Sequence, residues 1–143
     1  QYDIIKEKLE DEDISINNIK NIKVLPYIYN MEEIMNVVDV IVARSGAMTV
    51  TEISNLGKAS ILIPLPNVSN DHQLYNAKVL ERIGAADIIL DKDLTGNVLN
   101  NNIQKLLKES KYKEMGKNAL KISTNNVEDK IYNEILETIN SKK

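Results

Sequence analysis

Ser45, Gly46, Thr49 and Glu52 are spaced so that a phosphate and a diol could be held side by side. An apolar run, Val37–Ala43, is interrupted only by Asp39 and predicts a strand covered on both faces, as in a parallel sheet. The polar turn Arg44-Ser45-Gly46 follows, and Ala47 to Leu56 then reads as a helix with Val50 and Ile53 facing the core. Strand, tight turn and helix together aim backbone N–H groups over the C-terminal edge of a sheet. A helix start carries about half a positive charge and several unpaired donors, so an anion suits it. Thr49 adds a hydroxyl in the first turn, and Glu52 lies three residues further along the same face. A carboxylate is a poor phosphate ligand, but it accepts two hydrogen bonds from a diol such as a ribose. The plain alternative is that Ser45 caps the helix and Glu52 is a solvated charge.

A second polar group is Asp71-His72-Gln73, with Asn76 one turn on. His72 and Gln73 suit the hydroxyls of a sugar, because imidazole and amide groups each donate and accept. The competing reading makes Asp71 and His72 the N-terminal cap of the following helix. His72 is the single histidine, which makes a poor metal site, and no nucleophile-elbow pattern appears. Neither a metal nor a cofactor is implied. Arg44 could neutralise a phosphate or be a member of a surface ion pair. Tyr27 and Tyr29 could flank a flat base or simply cover the core.

These residues need elements to carry them. Tyr2 to Glu10 reads as a helix, and Asp11 to Asn21 as a polar connector whose acidic run Glu10–Asp13 is a solvated turn. Ile22–Leu25 reads as a short strand stopped by Pro26. Asn30 and Glu33 form a capping-box pattern for a helix from Met31 to Val38. Gly57 ends the helix after Ser45-Gly46. Ala59–Ile63 is the next strand, ended by Pro64 and Pro66. Gln73 to Ile83 is a helix ending near Gly84, and Ala85 to Leu90 a further strand with Asp87 as the exception. Helices then run over Leu99 to Lys108, Lys111 to Ser123 and Val127 to Asn140. In the last, the stripe Ile131-Ile135-Ile139 predicts plain core packing. Alternating strands and helices argue for βαβ units and a parallel sheet. Ligands bind beyond the carboxyl ends of such strands. Three loops qualify: Pro26–Asn30, Arg44–Ala47 and Pro64–His72.

The 143 residues amount to one domain, and 43% hydrophobic content is enough for a core. A formal net charge of −3 with no long basic block argues against nucleic acid. The only basic cluster is Lys142-Lys143, read as a frayed end. Cysteine is absent, which removes disulfides and thiolate-bound metal. No apolar run approaches the roughly 20 residues of a membrane span. The chain opens without methionine and enters a helical pattern at once, so a piece of a longer protein is expected.

The block Arg44-Ser45-Gly46-Ala47-Met48-Thr49-Val50-Thr51-Glu52-Ile53, followed by Ile63-Pro64, Asp71-His72-Gln73 and Tyr75-Asn76-Ala77, resembles the C-terminal domain of the MurG-type N-acetylglucosaminyltransferases of peptidoglycan synthesis. The match runs from about Val24 to Leu90 and on through the helical tail. The resemblance implies an α/β fold: a Rossmann-like parallel sheet with flanking helices, the GT-B C-terminal domain, N-terminally truncated. It would span 1–143, with the helical tail from about 99. It implies UDP-N-acetylglucosamine as donor. Ile28 would meet the uracil through its backbone, with Tyr27 beside it. Ser45, Gly46, Ala47, Met48 and Thr49 would surround the diphosphate, and Glu52 the ribose hydroxyls, with Arg44 a further substrate-binding residue. His72 and Gln73 would contact the sugar, and Asn76 would be a further substrate-binding residue. The acceptor, lipid-linked N-acetylmuramoyl-pentapeptide, and the catalytic base would belong to a missing N-terminal domain, so this chain alone is expected to be inactive and to expose surfaces that self-associate. The family implies a cytoplasmic protein, peripheral on the inner face of the membrane. Two other readings stay open. One is the donor domain of a different GT-B enzyme, such as a UDP-sugar epimerase or a lipid glycosyltransferase; the other is a non-catalytic interaction module.

Overall fold

A computed structural model describes residues 2–12, 14, 20–67, 71–123 and 126–141. Most of the connector, part of the loop before His72, and Lys142-Lys143 therefore lie outside the described residues. The chain divides into two compact units, Gln1–Ile34 and Met35–Lys143.

In the first unit, α1 (Tyr2–Asp11) has no buried residue. Ile22–Leu25 does not form the expected strand: Ile22 and Leu25 are about half exposed, and the segment pairs with no strand among the described residues. An extended segment becomes a strand only where a neighbour takes up its backbone groups. The loop after it is consequently not a strand exit. Asn30 and Glu33 do meet, but side chain to side chain, with Asn30 Nδ2 donating to Glu33 Oε2 at 2.7 Å. Helix α2 (Met31–Val37) follows, beginning in this unit and ending in the second.

The second unit is built on a parallel sheet of β1 (Val40–Ala43), β2 (Ala59–Leu62) and β3 (Ala86–Ile88), in the order β1-β2-β3. Val40 pairs with Ala59, Ala43 with Leu62, and Leu62 with Ile88. Parallel neighbours need crossovers, supplied by α3 (Ala47–Asn55) and α4 (His72–Arg82). The remaining helices are α5 (Gly96–Lys108), α6 (Lys111–Ala119) and α7 (Val127–Asn140).

Alternation along β2 separates two cores. Leu62 joins Ile53, Ala77 and Leu80 from α3 and α4, while Ala59 and Ile61 join Leu106 and Met115 from α5 and α6. Every residue of β2 is buried. The expectation that the Val37–Ala43 run is covered on both faces holds in part: Ile41 packs against the first core and Val40 against the second, while Val42, on what is an edge strand among the described residues, is 40% exposed. Asp87, the exception inside β3, lies 3.7 Å from Lys111 at the start of α6. Gly57 and Gly116 set the approach of α6: a Cβ at Gly116 would overlap the Gly57 carbonyl oxygen.

The tail departs most from expectation. Ile131, Ile135 and Ile139 are 52–56% exposed, and no described residue of α7 is buried. Its apolar stripe is therefore not core packing in this chain. Amphipathic spacing requires an apolar face; it does not supply the neighbour that covers it.

Candidate functional site

The strand ends set the site. Backbone bonds continue the ladder one residue past the strands, from Ile63 N–H to the Ala43 carbonyl at 2.9 Å and from Ile89 N–H to the Leu62 carbonyl at 3.0 Å. The three exits therefore leave the sheet level with one another. Beyond β1 come Arg44, Ser45 and Gly46.

Gly46, not Ser45, occupies the N-cap of α3, and no side chain caps this helix. The first helical bond runs from Val50 N–H to the Gly46 carbonyl at 3.0 Å. The amides of Ala47, Met48 and Thr49 thus have no side-chain acceptor among the described residues, and the first turn holds no acid to offset their charge. Gly46 has φ −62° and ψ 152°, a conformation open to any residue. A Cβ there would meet only Thr49 Oγ1, at 3.9 Å. The protein's own packing gives no reason for glycine at this point. What glycine leaves is clear space in front of the amides.

Ser45 is fully buried, and its hydroxyl donates to the Gln73 carbonyl at 2.7 Å. It is neither the helix cap nor a surface hydroxyl. Asn76 Nδ2 donates to the Ser45 carbonyl at 3.1 Å, so α4 grips this residue twice. Gln73 Oε1 accepts from the Leu65 amide at 2.9 Å, which fixes the loop after β2 and leaves the Gln73 side-chain NH₂ as a donor. Met48 is 73% exposed. Glu52 is also exposed, and its carboxylate has no hydrogen-bond or ion-pair partner among the described residues. On the helix these two lie four residues apart, on one face.

Arg44 is engaged. Its Nη1 donates to the Ile63 carbonyl at 3.2 Å and pairs with the carboxylate of Asp91. Asp91 has no distinguishing signal in the sequence: it opens a 3-10 turn shortly after β3, whereas Arg44 directly follows β1. Asp71 sits at the N-cap position of α4 with a left-handed backbone, φ 51°, and its side chain makes no cap. His72 opens α4 and is exposed. The structure thus gathers Arg44, Ser45, Gly46, Ala47, Met48, Thr49, Glu52, Gln73 and Asn76 around one sheet edge. Tyr27 and Ile28 belong to the other unit, where Tyr27 meets Tyr29 edge to face with ring centroids 4.9 Å apart. Ile28 is half-buried there.

A parallel sheet between helices, with an open helix start at the strand ends, is the architecture of a Rossmann-like α/β domain of the GT-B type. Residues 3–132 match the glycosyltransferase family 28 C-terminal domain, and the chain belongs to that family. It is 44% identical over 133 residues to the UDP-N-acetylglucosamine--N-acetylmuramyl-(pentapeptide) pyrophosphoryl-undecaprenol N-acetylglucosamine transferase of Thermoanaerobacter sp. (strain X514), covering 92% of this chain and 36% of that one. It is 40% identical over 143 residues to the same-named protein of Oenococcus oeni, covering 99% of this chain and 38% of the relative. The crystal structure of Acinetobacter baumannii MurG superposes with a TM-score of 0.76 at 36% identity, over 82% of this chain and 35% of that protein. The chain therefore spans a little over a third of the length of the curated relatives it matches.

Proposed function

We propose that this chain is the donor-binding part of an inverting glycosyltransferase that moves N-acetylglucosamine from UDP-N-acetylglucosamine to lipid-linked N-acetylmuramoyl-pentapeptide. The observation that carries the reading is the uncapped start of α3, open above Gly46, with unengaged Glu52 one turn in. The amides of Ala47–Thr49 take the diphosphate, and Glu52 takes the ribose hydroxyls. In the transfer step the same amides stabilise charge building on the departing diphosphate. Gln73 offers its NH₂ to the sugar, with His72 beside it. The function that the relatives' names state supports this choice of donor and acceptor.

The residues 1–143 form this donor part, with the helical tail from about 99 as its closing segment. The acceptor site and the base lie in the remainder of such a protein, which works at the inner face of the membrane, where its lipid-linked substrate resides. No helix among the described residues is long and apolar enough to cross a membrane.

Titration calorimetry with a nucleotide panel tests the reading. UDP and UDP-N-acetylglucosamine should bind, ADP should not, and no sugar should reach a lipid-linked acceptor. Equal affinity for all nucleotides, or none for UDP, would refute it. A preference for another UDP-sugar would move the chain to a different enzyme of this fold. The open edge of β1 and the exposed isoleucines of α7 also favour self-association of the isolated chain. Light scattering should show a mass above that of one chain, and a strict monomer would contradict it.

A further inference from the structure

Arg44 leaves the end of β1. Its Nη1 reaches both the Ile63 carbonyl just past β2, at 3.2 Å, and the carboxylate of Asp91 just past β3. One guanidinium therefore ties together the exits of all three strands. The pair is partly open to solvent, with side-chain exposures of 46% and 36%. Exposed pairs of this kind add little to global stability, so the consequence of this one is geometric. The next residue, Ser45, is already held from α4 through its hydroxyl and its carbonyl. With Arg44 also fixed, the turn into α3 has no slack, and the direction of the free amides is set. A guanidinium matched by a carboxylate brings no net charge, so attraction for an anion then comes from the backbone.

We propose that Asp91 is a positioning residue for nucleotide binding, holding Arg44 against Ile63 so that the Ser45-Gly46 turn presents its amides correctly. This rests on the donor-nucleotide reading above. The test uses the whole chain as Arg44→Ala, Asp91→Ala, the double variant and Asp91→Glu. UDP affinity and the melting midpoint are measured for each, with amide hydrogen exchange at residues 45–49 in the absence of nucleotide.

Each alanine variant should weaken UDP by about tenfold, the scale of one lost charge-assisted bond. The double variant should be no worse than either single one, because both act through one contact. Asp91→Glu should recover most of the affinity. Exchange at 45–49 should quicken in the alanine variants while the melting midpoint stays put. Two results overturn the proposal. One is weakening by Arg44→Ala with Asp91→Ala neutral or tighter, which would make Arg44 a direct phosphate ligand. The other is unchanged exchange in Asp91→Ala. If the unaltered chain binds no UDP, the nucleotide reading fails, and the exchange comparison alone decides the brace.

Discussion

Two helix starts in this chain solve the same problem in opposite ways. At α5, Thr95 in an extended conformation accepts from the Val98 amide at 3.2 Å, and the helix closes its own end. At α3, Gly46 has the same kind of backbone and offers nothing. The first turn of neither helix carries an acid. The difference is thus one side chain: threonine satisfies a donor, and glycine leaves it bare and leaves room in front of it. A bare start costs stability, and α4 likewise has no side-chain cap and no acid in its first turn; what sets α3 apart is the clear space that Gly46 leaves in front of its amides.

The largest test of this contrast closes the open end. Gly46→Asp places a capping carboxylate where the diphosphate would sit. UDP affinity should fall by at least about a hundredfold, while thermal stability stays level or rises by a few tenths of a kcal/mol. Calorimetry and a melting curve on one sample read both, and a variant that still binds UDP would end the account of α3. Next in size is Glu52→Ala, expected to weaken UDP by about tenfold and to abolish the preference for UDP over 2′-deoxy-UDP. Retention of that preference would mean the diol is held elsewhere. The smallest effect is the reverse operation at α5. Thr95→Ala should cost about 1 kcal/mol of stability with UDP affinity untouched. A change in affinity there would show that the two starts are not independent.

The arrangement at the start of α3 was legible because it is local. Ser45, Gly46, Thr49 and Glu52 are neighbours on one turn and one helix, and the 3.6-residue period places them without knowledge of the rest. The α/β pattern was legible for the same reason: β2, α3 and α4 lie close to where period and punctuation put them. The two readings left open for Arg44 could not be separated that way. Asp91 stands 47 residues on, and only the parallel pairing of β1, β2 and β3 brings their exits together. The cap reading of Ser45 gives way to Gly46, and the Ser45 hydroxyl is a buried strut, because α4 folds back over it.

What the amino-acid order determined by itself was periodicity and chemistry: which faces are apolar, where helices begin, and which turn carries free amides with an acid one turn in. What only the tertiary structure decided was company. Val42 lies on an edge and Ile135 faces solvent although their patterns read as core, and Arg44 meets Asp91 across the sheet. Local pattern follows from bonds along the chain, whereas cover and partnership depend on which distant segments arrive beside it.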